Sequence, residues 1–322
     1  MMQVRTVLGD LDPTRLGRVN SHEHLFQVSP LLAGDELDNE EASHEEARLL
    51  AASGFATMVD ATPVGLGRNP EAVARISLAT GMGIVATTGA HQESHYPANH
   101  WLRPLQAEQR SRVFLDELTV GMPRCDGDRG LGDDERSLAA GPAGSPVRAG
   151  LLKAGIGYWS ITRFERITLE AVALAHAATG APVMIHLEFC TAAHEVLDLL
   201  ANFQVPASRV VLAHADRDPN PTLHLELASR GAMLGYDGMA RPRTRSDAEL
   251  LDLTQAVVTG GGASNILIGG DVARSSRYQA YGGMPGLAYL GKRYLPQLRA
   301  RIGVETVEVI LTQNAQRFLA WC

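Results

Sequence analysis

Short apolar runs alternate with helical periodicity along the chain. The spacing predicts strands over 18–24, 54–61, 83–90, 150–155, 182–187, 209–214, 232–237 and 265–271. Several are apolar on both faces, as in Val210-Val211-Leu212 and Ile266-Leu267-Ile268, the pattern of parallel strands covered on both sides. Helical signals lie between them. Thr162 and Glu165 form a capping-box pair, in which each side chain takes an otherwise unpaired N–H of the first turn. The helix behind them carries Ile167, Ala171, Leu174, Ala175 and Ala178 on one face and stops at Gly180, with Pro182 beyond. Val196, Leu199, Leu200 and Phe203 repeat the helical stripe. Eight strand–helix units with short connections predict an α/β fold, a single (β/α)8 TIM barrel over 1–322. An open doubly wound sheet is the alternative. No GxGxxG follows the first strand, so the dinucleotide-binding version of that sheet has no support.

One segment breaks the rhythm. Residues 121–149 are rich in Gly, Pro and Asp and carry no period. By chain order they join the third helix to the fourth strand, so a flexible insertion on the face opposite the active site is expected.

Composition narrows the class. The chain has 322 residues, 45% apolar and 20% charged, long enough to fold around its own core. Its apolar runs fall short of the ~18 residues of a membrane helix, and its first residues hold no apolar stretch of the secretory kind. A cytoplasmic protein without membrane partners is the expectation. The net charge of −7 argues against a nucleic-acid partner. Cys125, Cys190 and Cys322 are too few and too widely spaced for a disulfide framework or a metal knuckle.

The positions of the histidines matter more. His22 and His24 sit in VNSHEHLF at the end of the first strand, where residues two apart share a face. His186 ends the fifth strand, His214 the sixth and Asp271 the eighth, while Lys153 lies in the apolar fourth strand GLLKAG. In a barrel, catalytic groups come from the C-terminal ends of several strands. Taken singly, a strand-end histidine is often only hydrogen-bonded, and a strand-end Asp is often a helix cap. The lysine is harder to explain that way, because a buried ammonium needs a partner or must lose its proton. Together the six suit a pair of Zn²⁺-like ions, with the lysine amine carboxylated between them.

This set, HxH on the first strand, Lys on the fourth, single His on the fifth and sixth and Asp on the eighth, resembles the phosphotriesterase family of the amidohydrolase superfamily. VDATPVGLGRNPEAV (59–73), TLEAVALAHAATGAPVMIH (168–186) and LTQNAQRFLA (311–320) are similar to further stretches of that family. The resemblance implies that His22, His24 and Asp271 hold one divalent metal ion and that His186 and His214 hold the other. Lys153, as a CO2-derived carbamate, would bridge the two along with a hydroxide. Zinc is the default metal, and the same donors accept Mn, Co or Fe. Metal-assisted hydrolysis follows, with Asp271 as both ligand and proton acceptor, and a homodimer is the family's common state.

Substrate choice resides in the loops. Family members that hydrolyse organophosphates carry a His after the seventh-strand Asp and an Asp after the sixth-strand His-x-Asp. The corresponding residues here are Gly238 and Arg217. Lactonases of the family often place an Arg where Gly238 stands, so neither pattern is matched. Arg241, Arg243 and Arg245 in GMARPRTRS, and Arg274 and Arg277 in RSSRYQAY, suit an anionic group. Arg241 and Arg274 are the leading candidates to read one. Surface pairing with acids is the plain alternative. Trp159 and Tyr96 are expected to wall a pocket, and Glu188 to orient a ligand or the substrate. The reading is a binuclear metal-dependent hydrolase of a carboxylic ester, a lactone first. Amide (N-acyl) hydrolysis, phosphotriester hydrolysis and a non-catalytic metal-containing binding protein are the alternatives.

Overall fold

The computed structural model describes residues 2–126 and 137–321. A short hairpin, β1 (Val4–Thr6) and β2 (Gly9–Leu11), precedes the barrel. Its three-residue strands are too short to leave a periodic signal. Eight parallel strands follow: β3 (Val19–Glu23), β4 (Thr57–Asp60), β5 (Gly83–Gly89), β6 (Leu151–Gly155), β7 (Val183–His186), β8 (Val210–Ala213), β9 (Met233–Tyr236) and β10 (Ile266–Ile268). They pair strictly in chain order, β3 to β10. The two ends meet where the Gly270 and Asp271 N–H groups donate to the His22 carbonyl at 3.1 and 2.9 Å. The sheet is therefore a nearly closed barrel, not an open doubly wound sheet. The close approach requires glycine, since a Cβ on Gly269 would fall 2.6 Å from that of His22.

Helices α1 (Glu40–Ala52), α2 (Pro70–Thr80), α3 (Ala107–Thr119), α4 (Arg163–Thr179), α5 (Ala193–Asn202), α6 (Pro221–Ser229) and α7 (Asp247–Thr259) cover the outside. The chain ends in α8 (Leu295–Ile302), α9 (Val304–Val309) and α10 (Ala315–Leu319). Among the described residues, no helix is long and apolar enough to cross a membrane. Val19, Val59, Val85, Leu151, Met184, Val211, Met233 and Leu267 fill the barrel, and Val4, Leu16, Phe318 and Leu319 join the same cluster from the first and last segments of the chain. The floor is thus plugged with apolar side chains, leaving the opposite end for polar groups.

The α4 capping box is present, and Gly180 ends that helix in the left-handed conformation at φ 72°. Its buried face differs from the expected one. Phe164, Thr168, Ala171, Val172 and Ala175 point inward, while Leu174 is exposed. The second half of this helix is apolar on nearly every side, which allows several possible stripes, and here α3 selects one. The buried Arg110 guanidinium donates to the Phe164 carbonyl at 2.9 Å and to the Thr168 hydroxyl at 2.5 Å.

Within 121–149, residues 127–136 lie outside the described residues. The flanks are tied down. Met122 N–H donates to the Val147 carbonyl at 2.7 Å, and Ala139 N–H to the Met122 carbonyl at 2.9 Å. Arg68 donates to Glu117 and Asp126, each at 2.7 Å, with all three side chains nearly sealed from solvent. Arg68→Ala leaves two carboxylates enclosed without this guanidinium, so a loss of about 3–5 kcal/mol is expected in urea unfolding. A loss under about 1 kcal/mol, as for an exposed pair, would contradict that account.

Candidate metal centre

Alternation along β3 from the inward Val19 would place odd-numbered residues inside the barrel. The pairing of β3 with β4 shifts register between Asn20 and Glu23, and this irregularity brings His22 and His24 to the inner face. Glu23, between them, accepts from Asn20 Nδ2 at 3.2 Å and Val272 N–H at 3.0 Å. It ties the end of β3 to the chain beyond β10, and its complete burial pushes its carboxyl up to about 8. Lys153 follows Leu151 on the inner face of β6, as His186 follows Met184 on β7. On β8 the inner residues are Val211 and Ala213, so simple alternation would turn His214 outward. Instead His214 takes φ 61°, and Asp271 takes φ 42°. Among the described residues, nine non-glycine residues have positive φ, and eight of them lie in loops that follow barrel strands at this end: Trp159, Phe189, Cys190, Ala192, His214, Ala240, Asp271 and Ala273. Backbone strain is concentrated where side chains must be aimed.

Hydrogen bonds assign the proton on each imidazole. His22 Nδ1–H donates to Asp237 Oδ2 at 2.9 Å, and His214 Nδ1–H to Asp237 Oδ1 at 2.6 Å. His186 Nε2–H donates to Glu188 Oε1 at 2.8 Å. His24 Nδ1 meets the Thr62 hydroxyl at 2.7 Å, and that hydroxyl in turn bonds the Asp60 carboxylate. With the outer nitrogens occupied, the four inner nitrogens carry lone pairs. His22 Nε2 and His24 Nε2 face Asp271 Oδ1 at 3.8 and 3.6 Å. His186 Nδ1 and His214 Nε2 lie 2.9 Å apart with no proton left to share. Two lone pairs held that close repel unless a cation accepts both. This donor set fits two divalent metals, each with oriented imidazoles. His22, His214 and Asp237 also form a group within 4.8 Å, but their contacts are the Nδ1–H···O bonds, so Asp237 orients the rings.

Lys153 has no exposed surface, and its Nζ donates to the Ala61 carbonyl at 2.8 Å. Burial pushes its ammonium down to about 8. It lines the same cavity of about 410 Å³ as His22, His24, His186, His214, Glu188, Arg241, Asp271 and Arg274. Arg241 donates to the Asp271 carboxylate and carbonyl. Arg274 sits at the rim, 3.3 Å from Asp35 and half exposed. Arg217 lies 3.5 Å from Glu188 and 3.6 Å from Asp271. Arg277 instead straps loops together by donating to the carbonyls of Val272 and Ala240.

The structure does not bring Tyr96 or Trp159 to the cavity wall. Tyr96 is buried beneath the loop after β5, donating to the Val64 carbonyl at 3.0 Å and accepting from His91 N–H at 2.9 Å. Its ring packs on Phe164, so the apolar floor of the loop claims it. Trp159 is turned outward by its φ of 48° and is 64% exposed. Sequence reasoning gave no role to Asp237, although it follows β9 at the same strand-end position as the other groups. It also passed over His91, Gln92 and His95, in GAHQESHYP directly after β5, all of which line the cavity.

The sequence profile of the phosphotriesterase family matches residues 2–129 and 135–319. A phospho-furanose lactonase of Mycoplasmopsis synoviae is 29% identical over 98% of this chain and 91% of its own length. A lactonase of Listeria monocytogenes superposes with a TM-score of 0.87 at 28% identity, covering 99% of both chains. A phosphotriesterase homology protein of Escherichia coli, solved with phosphate in its active site, gives 0.82 at 27% identity over 96% of this chain and 100% of that one. The profile covers almost the whole barrel and every residue of the converging donor set: the chain belongs to the phosphotriesterase family.

Proposed function

We propose that this family member is a binuclear metal-dependent hydrolase of carboxylic esters, and that its substrate is a lactone bearing an anionic group. The observation that carries the reading is the convergence of four lone-pair imidazole nitrogens and the Asp271 carboxylate in a cavity lined by arginines. His22, His24 and Asp271 would hold one ion, His186 and His214 the other, and Lys153, carboxylated by CO2 with loss of a proton, would lie between them. Two such cations, zinc by default, supply Lewis acidity and make a water reactive near neutral pH.

The chain's own residues do the rest. Asp237, Glu188 and Thr62 fix the imidazoles in the metal-binding tautomer. Asp271, on its left-handed backbone, holds the proton given up as the ester carbonyl is attacked. Arg241 and Arg274 read the anionic group, and Gly238 lets the Asp216 carboxylate pack close against the loop after β9: its N–H donates to Asp216 Oδ2 at 2.7 Å, and a Cβ there would lie 3.0 Å from that oxygen. The names of the Mycoplasmopsis and Listeria relatives support a lactone, and the phosphate in the E. coli structure supports an anion.

Steady-state hydrolysis of a phosphorylated and a neutral furanose lactone tests the proposal. Arg274→Ala is expected to raise KM for the phosphorylated lactone about tenfold or more, the scale of one charge-assisted hydrogen bond. The neutral lactone should be affected far less, and the metal content should not change. Equal effects on both lactones would remove the anion-reading role. Turnover of an N-acyl amino acid in place of every lactone would overturn the ester assignment.

A further inference from the structure

The loop after β5 carries two histidines that the metal centre does not use. His91 follows β5, and His95 ends the helical turn Glu93–His95. Their ring centroids lie 3.9 Å apart, and the His91 ring is 4.4 Å from that of His186. Both line the cavity.

A backbone hydrogen bond settles the tautomer of His91. Gln92 N–H donates to His91 Nδ1 at 2.8 Å, so that nitrogen is bare and the ring proton is on Nε2. His95 Nδ1 lies 2.8 Å from the Ser29 hydroxyl, which already accepts the Leu31 N–H at 3.3 Å. The serine proton is free to turn to His95 Nδ1, and that arrangement places the His95 ring proton on Nε2 as well. Among the described residues, neither Nε2 has a protein hydrogen-bond partner. Gln92, between the two, is committed to Glu188, to which its Nε2 donates at 3.0 Å. One wall of the cavity therefore presents two neighbouring N–H donors. Arg241 and Arg274 come from loops after the seventh and eighth barrel strands, whereas this wall follows the third.

We infer that His91 and His95 form a hydroxyl-reading wall, whose Nε2–H groups bind the oxygens of a polyhydroxylated lactone held at its anionic end by the arginines. Neutral donors suit alcohol oxygens, and this wall and the two arginines line one cavity of about 410 Å³. The inference rests on the lactone reading above and makes these two histidines specificity-determining residues.

His91→Phe and His95→Phe keep a ring and remove the donor. The test compares kcat/KM for a hydroxylated lactone and its deoxy counterpart in the metal-loaded protein, with metal content measured for each variant. A site built to bond a hydroxyl discriminates against the analogue lacking it. A preference of roughly a hundredfold is expected in the parent protein, collapsing toward unity in the variants. An unchanged ratio in both variants would overturn the inference. So would a parallel loss on both substrates with loss of metal, since that would show the rings only brace His186. Calorimetric binding of the ring-opened hydroxy acid and its deoxy form is the second readout. If no lactone is turned over but the hydroxylated acid binds more tightly and the variants abolish that difference, the ester reading fails while the wall stands. Equal binding of both acids to the parent protein would overturn the wall itself.

Discussion

Replacing Lys153 with alanine is expected to lower hydrolytic activity roughly 10³-fold or more, at or beyond the cost of losing one electrostatic contact to a reacting centre. The lysine is sealed inside the barrel with one backbone acceptor, the Ala61 carbonyl, and an ammonium has little reason to stay there. A carbamate on its nitrogen would supply an anionic oxygen to each cation, so the alanine variant should bind the metal pair more weakly as well. Elemental analysis and steady-state kinetics on the purified variant check both effects. Adding a short-chain carboxylate should restore part of the activity, because a free carboxylate can fill the space the side chain leaves. Full activity and two metals in Lys153→Ala would remove the lysine from the centre.

Asp237→Asn is expected to weaken metal binding by 10–100-fold, the range typical of losing an outer partner of a metal-ligating histidine. Here one carboxylate serves both halves of the centre, since its two oxygens take the Nδ1–H of His22 and of His214. An amide offers one acceptor and one donor. Its NH2 would face one of the Nδ1 atoms and drive that ring to the tautomer with its proton on the metal-facing nitrogen. Chelator-competition titration measures the change. Unaltered affinity would mean that the rings are held by packing alone.

The barrel was legible because parallel strands covered on both faces leave continuous apolar runs, and all eight predicted segments contain a strand. The six converging residues were legible because each ends a strand or sits inward on one. The details that aim them were not. The register shift in β3 and the left-handed turns at His214 and Asp271 reverse what simple alternation would give, and no local pattern announces them. Tyr96 and Trp159 looked alike as aromatics after strands, yet packing on Phe164 claimed one and backbone conformation turned the other to solvent. Asp237 was hidden because its role is relational: it has meaning only where β3 and β8 bring two imidazoles to one carboxylate.

Proton release from an anionic furanose lactone, followed at constant pH with protein loaded with divalent metal in the presence of bicarbonate, tests the central claim most directly. The account predicts turnover that disappears when the ions are removed by chelation and returns when zinc or manganese is restored. Turnover indifferent to chelation, or a protein carrying two metals per chain that opens no lactone, neutral or anionic, would contradict it.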